Sequence, residues 1–325
     1  MMFIFIINKK AAEGPLVITL LADDDYRLPI SVDVTIHDTY RARLNIDYTY
    51  DFLTRELTLL TKAPFIIKVT GVHPDANIIS AVFNKSDFRN IELICVGNNL
   101  IFDWGDGTIN NEPSHKYENV GSYDIIITGE LLSIAVKQAS GNDNITQIKL
   151  GPTVKSLPNS AFAVCKNLNT FDIVNATNLE TIGDGILYRN TALGSFVLPS
   201  SVKTVGTQAF AYCYYIHPFL RNYKMNLVTI CGSAFRNCSA MEYVMLPSTL
   251  ESIAASAFSN CFSLKTVDLT SFDKETNIPT CASDAFSNCS PNLKFYFKDQ
   301  DTLNKFANTD GWKDYSTRFV IKSAL

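Results

Sequence analysis

Apolar positions recur along the second half of the chain with a period of 23 to 28 residues. Five of the six repeats contain an Ala-Phe-x-x-Cys block, and the second has Ile-Leu-x-x-Asn in its place. We call the last residue of this block the corner position. Apolar residues stand eleven, eight, four and three residues before each corner position, and in four copies also three, six and eight residues after it. The six corner positions are Cys165, Asn190, Cys213, Cys238, Cys261 and Cys289.

This spacing predicts a solenoid of six coils, which we number by their corner positions. Each coil contains two short extended segments and a tight helical turn, and none can bury its apolar face without its neighbours. The second coil has Leu187 and Asn190 where the other coils have Phe and Cys. Because the repeat tolerates this exchange, we interpret the corner cysteines as packing residues and not as chemically required groups.

A hydroxyl residue stands nine positions before every corner. Period-two alternation in a strand directs this position outward, between two inward apolar residues. We predict a ladder of hydroxyls between stacked strands, and a ligand-binding stripe is the alternative interpretation. The six residues are Ser156, Thr181, Thr204, Thr229, Ser252 and Thr280.

The eight cysteines do not form a pattern typical of catalysis or metal binding. A nucleophilic cysteine needs a nearby base, and His217 is the single histidine of the repeat region. No Cys-x-x-Cys pair is present for zinc. We predict buried, reduced thiols, with disulfides as the alternative in an exported protein, and we expect no enzymatic activity, catalytic residue or cofactor.

Residues 145–325 resemble the BspA-type leucine-rich repeats of bacterial and protist surface proteins. The motif LPxx[VL]xx[IV]xxxAFxxCxxL carries the resemblance, at residues 198–216 and 246–264. The tail at residues 298–320 resembles the terminal cap of such arrays, with Trp312 and Tyr315 closing the open end. The resemblance implies a leucine-rich-repeat solenoid with short helical turns over residues 139–325, and a role in adhesion.

Residues 64–138 carry a different signal. The stretch FDWGDGT at 102–108, followed by an alternating segment at 115–129, resembles PKD-like modules. The resemblance implies an immunoglobulin-type β-sandwich with Trp104 and Tyr117 in its core. Asp103 and Asp106, with Glu112, can coordinate calcium, or the aspartates can accept backbone hydrogen bonds in the turn.

Residues 1–63 match no family that we can name. Alternation over residues 30–36 and 42–48 predicts a small antiparallel β domain, with a further strand near 55–60. The predicted fold class is therefore mainly β, with N-terminal β domains followed by the solenoid.

Composition excludes two classes of partner. With 28 basic and 32 acidic residues, the chain lacks the basic surplus that nucleic-acid binding needs. The apolar runs at residues 1–7 and 15–22 are too short to span a bilayer. Lys9 and Lys10 follow the first run, which reverses the order of a secretory leader. We therefore expect neither membrane insertion nor a cleaved leader.

The third coil departs from the template by adding aromatic residues and an arginine, which are residue types of binding surfaces. Packing of an irregular repeat is the alternative interpretation. Tyr243 and Met245, at outward positions of the next coil, would extend this face. The candidate binding residues are Tyr214, Tyr215, His217, Arg221, Tyr223 and Tyr243.

These patterns together indicate a non-catalytic binding protein for a protein or glycan on a host or bacterial surface. Without an export signal, we expect a bacteriophage virion component, tail-associated or head-decorating, assembled in the host cytoplasm. In that case the N-terminal β domains would contact other virion proteins, and a homo-oligomer is possible. The alternative is a secreted or cell-surface adhesin of the BspA-like type.

Overall fold

The computed structural model describes residues 77–84, 90–137, 142–194, 196–216, 225–273 and 275–322, together with the backbone of seven strands before residue 77. Within these limits the chain forms two compact units, Met1–Ala76 and Asn77–Leu325.

The first unit contains two antiparallel sheets, as the alternation before residue 63 predicts. Four strands form one sheet in the order β1-β7-β3-β4, and three form the other in the order β2-β6-β5. The predicted strand at residues 42–48 lies outside the described residues except for Tyr48, the first residue of β5. The strands are β1 Met2–Ile7, β2 Leu16–Thr19, β3 Ser31–Ile36, β4 Tyr40–Arg41, β5 Tyr48–Asp51, β6 Glu56–Leu59 and β7 Phe65–Thr70.

The second unit begins with a sheet of long antiparallel strands that continues into the solenoid. Its order is β10-β9-β12-β8-β13-β14, with β11 paired to β9, and the β13–β14 pair is parallel. The strands are β8 Asn77–Phe83, β9 Asn90–Asp103, β10 Ile109–Asn110, β11 Ser114–Lys116, β12 Gly121–Val136, β13 Ile145–Lys149 and β14 Thr170–Asp172.

Trp104 and Tyr117 are fully buried in this region, as expected, and the Tyr117 hydroxyl donates to the Trp104 carbonyl at 2.9 Å. The immunoglobulin-type sandwich predicted for residues 64–138 finds no support in the described strands. The reason is topological, because β7 pairs within the first unit and β8 pairs with β13, a strand that belongs to the solenoid.

Two parallel ladders form the solenoid, as the repeat predicts. The first is β15 Thr181–Ile182, β16 Thr204–Val205, β17 Thr229–Ile230, β19 Ser252–Ile253 and β21 Thr280–Cys281, and the second is β18 Tyr243–Met245, β20 Thr266–Asp268, β22 Lys294–Phe297 and β23 Phe319–Ile321. In each coil the position eight residues before the corner is buried, and the hydroxyl residue beside it is more exposed.

Hydrogen-bonded turns at the corners form a third ladder between coils. In the first five coils, the amide three residues before the corner donates to a carbonyl of the next coil, as Phe210 donates to Ala234 at 2.8 Å. Inside these turns the phenylalanine rings stack, with Phe210, Phe235, Phe258 and Phe286 at centroid distances of 5.1 to 5.2 Å. The core therefore runs continuously along the array.

The last coil is closed by a helix, α1 Gln300–Ala307, and a 3₁₀ helix at Lys313–Arg318. Trp312 is buried and donates from Nε1 to the Pro279 carbonyl at 2.7 Å. The Tyr315 hydroxyl donates to the Ser283 carbonyl at 2.7 Å and accepts from the Phe286 amide at 3.2 Å. In earlier coils that amide bonds to the following coil, so Tyr315 takes the place of a seventh coil, as the cap resemblance implied.

Candidate functional site

The corner residues act as hydrogen-bond donors as well as packing groups. Each of four thiols donates to a backbone carbonyl of the preceding coil, at 3.1 Å for Cys213 and 3.2 Å for Cys238, Cys261 and Cys289. Asn190 makes the same contact, because its Nδ2 donates to the Phe162 carbonyl at 3.0 Å. The corner therefore selects a small side chain with a donor, and this explains why asparagine can replace cysteine.

Burial holds these thiols in the protonated form. It raises the pKa of Cys213 and Cys289 to about 12 and that of Cys165 to about 11. All eight cysteines are free. Since the thiolate is the nucleophile and the metal ligand, the corner thiols are poorly suited to either role near neutral pH.

The hydroxyl residues form the predicted ladder. Thr181, Thr204, Thr229, Ser252 and Thr280 stand opposite one another in register along the first parallel ladder. Ser252 Oγ donates to Thr229 Oγ1 at 3.4 Å, and Thr280 Oγ1 donates to the Glu251 carbonyl at 3.3 Å. These contacts favour the interpretation as a cross-strand ladder over a ligand-binding stripe.

The two residues before and the two after each corner position form a band that we call the corner ridge. Most of them are at least partly exposed, whereas Ala211, Ser259 and Ser290 are buried. The residue just before each corner has a positive φ, between 55° and 64° in all six coils. Asparagine accepts this conformation readily and occupies it in the last three coils, whereas Val164, Arg189 and Tyr212 occupy it in the first three.

An aromatic and cationic cluster lies on the ridge of the second and third coils. The rings of Tyr188 and Tyr212 meet edge to face at 5.6 Å, and those of Tyr212 and Tyr214 at 6.4 Å. The guanidinium of Arg189 lies over both of the first two rings, 5.2 Å from the centroid of Tyr188 and 5.5 Å from that of Tyr212. This arrangement pre-orders an arginine among aromatic rings at the surface.

Of the predicted binding residues, Tyr214 belongs to this cluster and Tyr215 is its neighbour in the chain. Tyr214 is 41% exposed and Tyr215 62% exposed. His217, Arg221 and Tyr223 lie outside the described residues. The sequence pattern did not single out Tyr188, Arg189 and Tyr212. A comparison of the column just before the corner would have revealed the last two, because asparagine gives way there to Arg and Tyr.

The predicted extension toward the next coil is not an open surface. Tyr243 is partly buried and donates its hydroxyl to Asp268 Oδ2 at 2.9 Å. Met245, expected to face outward, is buried and lies in register with Asp268, which is also buried. Lys322, which directly follows β23, donates from Nζ to Asp268 Oδ2 at 3.0 Å. The outer face of this ladder is therefore occupied near the cap.

The aspartates of the Gly-rich turn bond to their own loop. Asp103 Oδ1 accepts from the Gly105 amide at 3.1 Å, and Asp106 Oδ1 accepts from the Thr108 amide at 3.0 Å. Asp106 Oδ2 lies 2.6 Å from His115 Nε2. Slight burial opposes it, but the bonds from Thr108 and His115 hold the pKa of Asp106 below its ordinary value. Among the described residues no three potential ligands cluster around a metal position.

The stacked coils and the capped end define a leucine-rich-repeat solenoid. A family model described as "BspA type Leucine rich repeat region (6 copies)" matches residues 113–218 and 221–309, which is more than half of the chain. The chain belongs to this family. A search of curated proteins finds no match. Within the described residues, no helix is long and apolar enough to span a bilayer.

Several solved structures are similar. A leucine-rich repeat protein from Bacteroides ovatus is 24% identical with a TM-score of 0.41, over 63% of this chain and 54% of that one. The pneumococcal vaccine antigen PcpA is 16% identical with a TM-score of 0.41, over 59% and 46%. A leucine rich cell surface protein from Faecalibacterium prausnitzii is 20% identical with a TM-score of 0.35, over 52% and 51%. The chain spans about half the length of each.

Proposed function

We propose that the protein is a non-catalytic recognition protein of the cell-surface type, and that the corner ridge of its solenoid contacts the partner. One observation carries the proposal. The inward positions are nearly constant from coil to coil, whereas the ridge of the second and third coils carries Tyr188, Arg189, Tyr212, Tyr214 and Tyr215. Rigid aromatic residues and arginine supply most of the binding energy in many interfaces.

The chemistry of the corners supports a binding role over a catalytic one. The thiols with the most regular placement donate to backbone carbonyls and have raised pKa values. Membership of the BspA-type family favours the surface interpretation over the virion interpretation, for which the comparisons offer no support. The PKD-like nature of residues 64–138 remains a prediction.

The test is binding of the full chain to arrays of surface glycans and surface proteins, with reaction products analysed in parallel. We expect saturable binding without turnover. The variant Tyr212→Ala/Tyr214→Ala/Tyr215→Ala should lose at least tenfold in affinity. Val197→Ala is the matched control, because Val197 is 51% exposed and lies away from the ridge. Turnover of any array component, or unchanged binding by the triple variant, would contradict the proposal.

A further inference from the structure

We propose that the corner ridge of the second to fourth coils binds a linear acidic glycan with uronate residues on alternate sugars. In this arrangement Arg189 and Arg236 pair with two carboxylates, and the tyrosines between them pack against the intervening sugar. The inference rests on the proposed recognition function and names the ligand class for the same surface.

The first argument is the charge of the ridge. The chain as a whole carries a formal net charge of −4, yet the corner ridge contains no aspartate or glutamate in any of its six coils. Its cations are Lys166, Arg189 and Arg236. A cationic surface on an acidic protein favours an anionic ligand.

The second argument is that the two arginines differ from other surface cations of the solenoid. Lys166, Lys203 and Lys265 each pair with a carboxylate within 3.7 Å. In the described part of the chain, no carboxylate lies within ion-pair distance of Arg189 or Arg236. The Nε atom of Arg236 is buried and has no hydrogen-bond acceptor among the described residues. Because that Nε atom is buried, an anion would pair with Arg236 through the two terminal Nη atoms.

The third argument is spacing, and it favours a glycan over an acidic peptide. Arg189 and Arg236 stand one and two residues before the corners of coils separated by one intervening coil, so the strand spacing of a sheet places their Cα atoms about 10 Å apart. This is the scale of one disaccharide. In an extended peptide, side chains on one face recur about every 7 Å, which does not match two coils.

The fourth argument is what lies between the arginines. Tyr212 occupies the intervening coil just before its corner, and Tyr214 follows the corner of the same coil. The Arg189 guanidinium already covers part of the Tyr212 ring, whereas Tyr214 and Tyr215 remain exposed. Aromatic rings of this kind pack against the apolar C–H faces of pyranose rings while their hydroxyls reach the sugar hydroxyls.

Calorimetry on the full chain tests the inference with defined probes. The primary probe is an octasaccharide of alternating glucuronate and N-acetylglucosamine. The comparison probes are the same octasaccharide with its carboxyls reduced to alcohols, and polyglutamate of matched charge. We expect binding of the uronate probe, at least tenfold weaker binding of the reduced probe, and weaker binding of polyglutamate.

Variants locate the contact. Arg189→Gln and Arg236→Gln should each weaken uronate binding at least fivefold, and the double variant at least 25-fold. Lys203→Gln is the matched control, because it removes a positive charge that is paired with Glu180 away from the ridge. It should stay within twofold of the unmodified protein. Circular dichroism and melting curves check that each variant is folded.

Each other outcome overturns the inference. Equal binding of the reduced probe would mean that stacking alone operates, and tighter binding of polyglutamate would identify an acidic peptide site. Full binding by the double variant would place the contact elsewhere. If the uronate probe fails while the ridge-dependent array binding persists, the ligand class is wrong and the recognition function stands. If both fail, the recognition function fails as well.

Discussion

The second and fifth coils use one backbone plan with different side chains. In the fifth coil, Phe258 stacks between Phe235 and Phe286 at 5.2 and 5.1 Å. In the second coil Leu187 stands at that position, and the space beside it is filled from the other strand by Phe196, whose ring lies 4.9 Å from Phe210 and 5.9 Å from Phe171. The two coils thus exchange a large and a small residue between inward columns.

Their outer faces differ more. The ridge of the fifth coil continues into the sixth by hydrogen bonds, with Ser287 Oγ donating to Ser259 Oγ and Asn288 Nδ2 donating to Asn260 Oδ1, both at 3.0 Å. The ridge of the second coil carries Tyr188 and Arg189 instead. The comparison shows that the inward columns stay apolar in both coils, whereas the ridge residues change from Ser and Asn to Tyr and Arg.

We expect the largest loss of stability when the phenylalanine ring of the fifth coil is removed. Phe258→Ala should lower the free energy of unfolding by about 3–5 kcal/mol, because a fully buried ring between two others leaves a cavity. Urea denaturation measures the change. Phe262→Ala is the control, since Phe262 is 59% exposed, and should change stability by about 0.5 kcal/mol or less. Similar losses for the two variants would contradict the stacked core.

Placing a phenylalanine in the second coil, at the position of Phe258 in the fifth, should also destabilise the protein. Leu187→Phe overfills space that Phe196 already occupies and should cost about 1–3 kcal/mol. The double variant Leu187→Phe/Phe196→Val reproduces the pairing of the fifth coil, where Val267 stands at the position of Phe196. It should recover most of the loss in the same denaturation experiment. If the losses of stability from the two substitutions add in the double variant, the residues at positions 187 and 196 do not compensate each other.

Exchanging the corner residues tests the donor rule. Cys261→Asn should cost about 1–3 kcal/mol, because it adds a buried carbonyl oxygen without a donor. Asn190→Cys should instead raise the free energy of unfolding by about 1 kcal/mol, since Asn190 Oδ1 is buried without a partner among the described residues. Melting temperatures of both variants check the opposite signs. A loss on Asn190→Cys would contradict the equivalence of thiol and amide.

The smallest effect separates stability from binding at the ridge. Arg189→Asn puts at this positive-φ position the asparagine that the fifth coil has there. It should raise the free energy of unfolding by about 0.5 kcal/mol, after the lost cation–π contact is subtracted. The same variant should lose binding to the acidic glycan. Asn260→Arg, the reverse exchange, should cost a similar amount. If the variant is stabilised and still binds the acidic glycan, Arg189 is not part of the binding site.

The repeat was predictable because six copies of one sequence pattern set the register independently. Phe258, the corner cysteines and the hydroxyl ladder all follow from that register. The prediction that Met245 is exposed was wrong. Alternation tells which face of a strand a residue occupies, but it does not tell what covers that face from elsewhere in the chain. Lys322, 54 residues from Asp268, occupies that face near the cap.

The aromatic and cationic cluster was predictable only in part, for a related reason. Tyr214 and Tyr215 stood out as an aromatic excess within one coil. Arg189 and Tyr188 come from the preceding coil, where neither breaks the inward pattern. Their proximity to Tyr212 follows from stacking and from the positive φ before the corner, and neither is visible in a single copy of the repeat.

The closing role of Tyr315 has an evolutionary consequence. Its hydroxyl satisfies the amide of whichever coil stands last, and that amide is in the same position in every coil. A duplication or deletion of one whole coil upstream would leave the contact between Tyr315 and the last coil unchanged. Such a chain can vary the number of coils, and with it the length of its ridge, without inventing a new terminus.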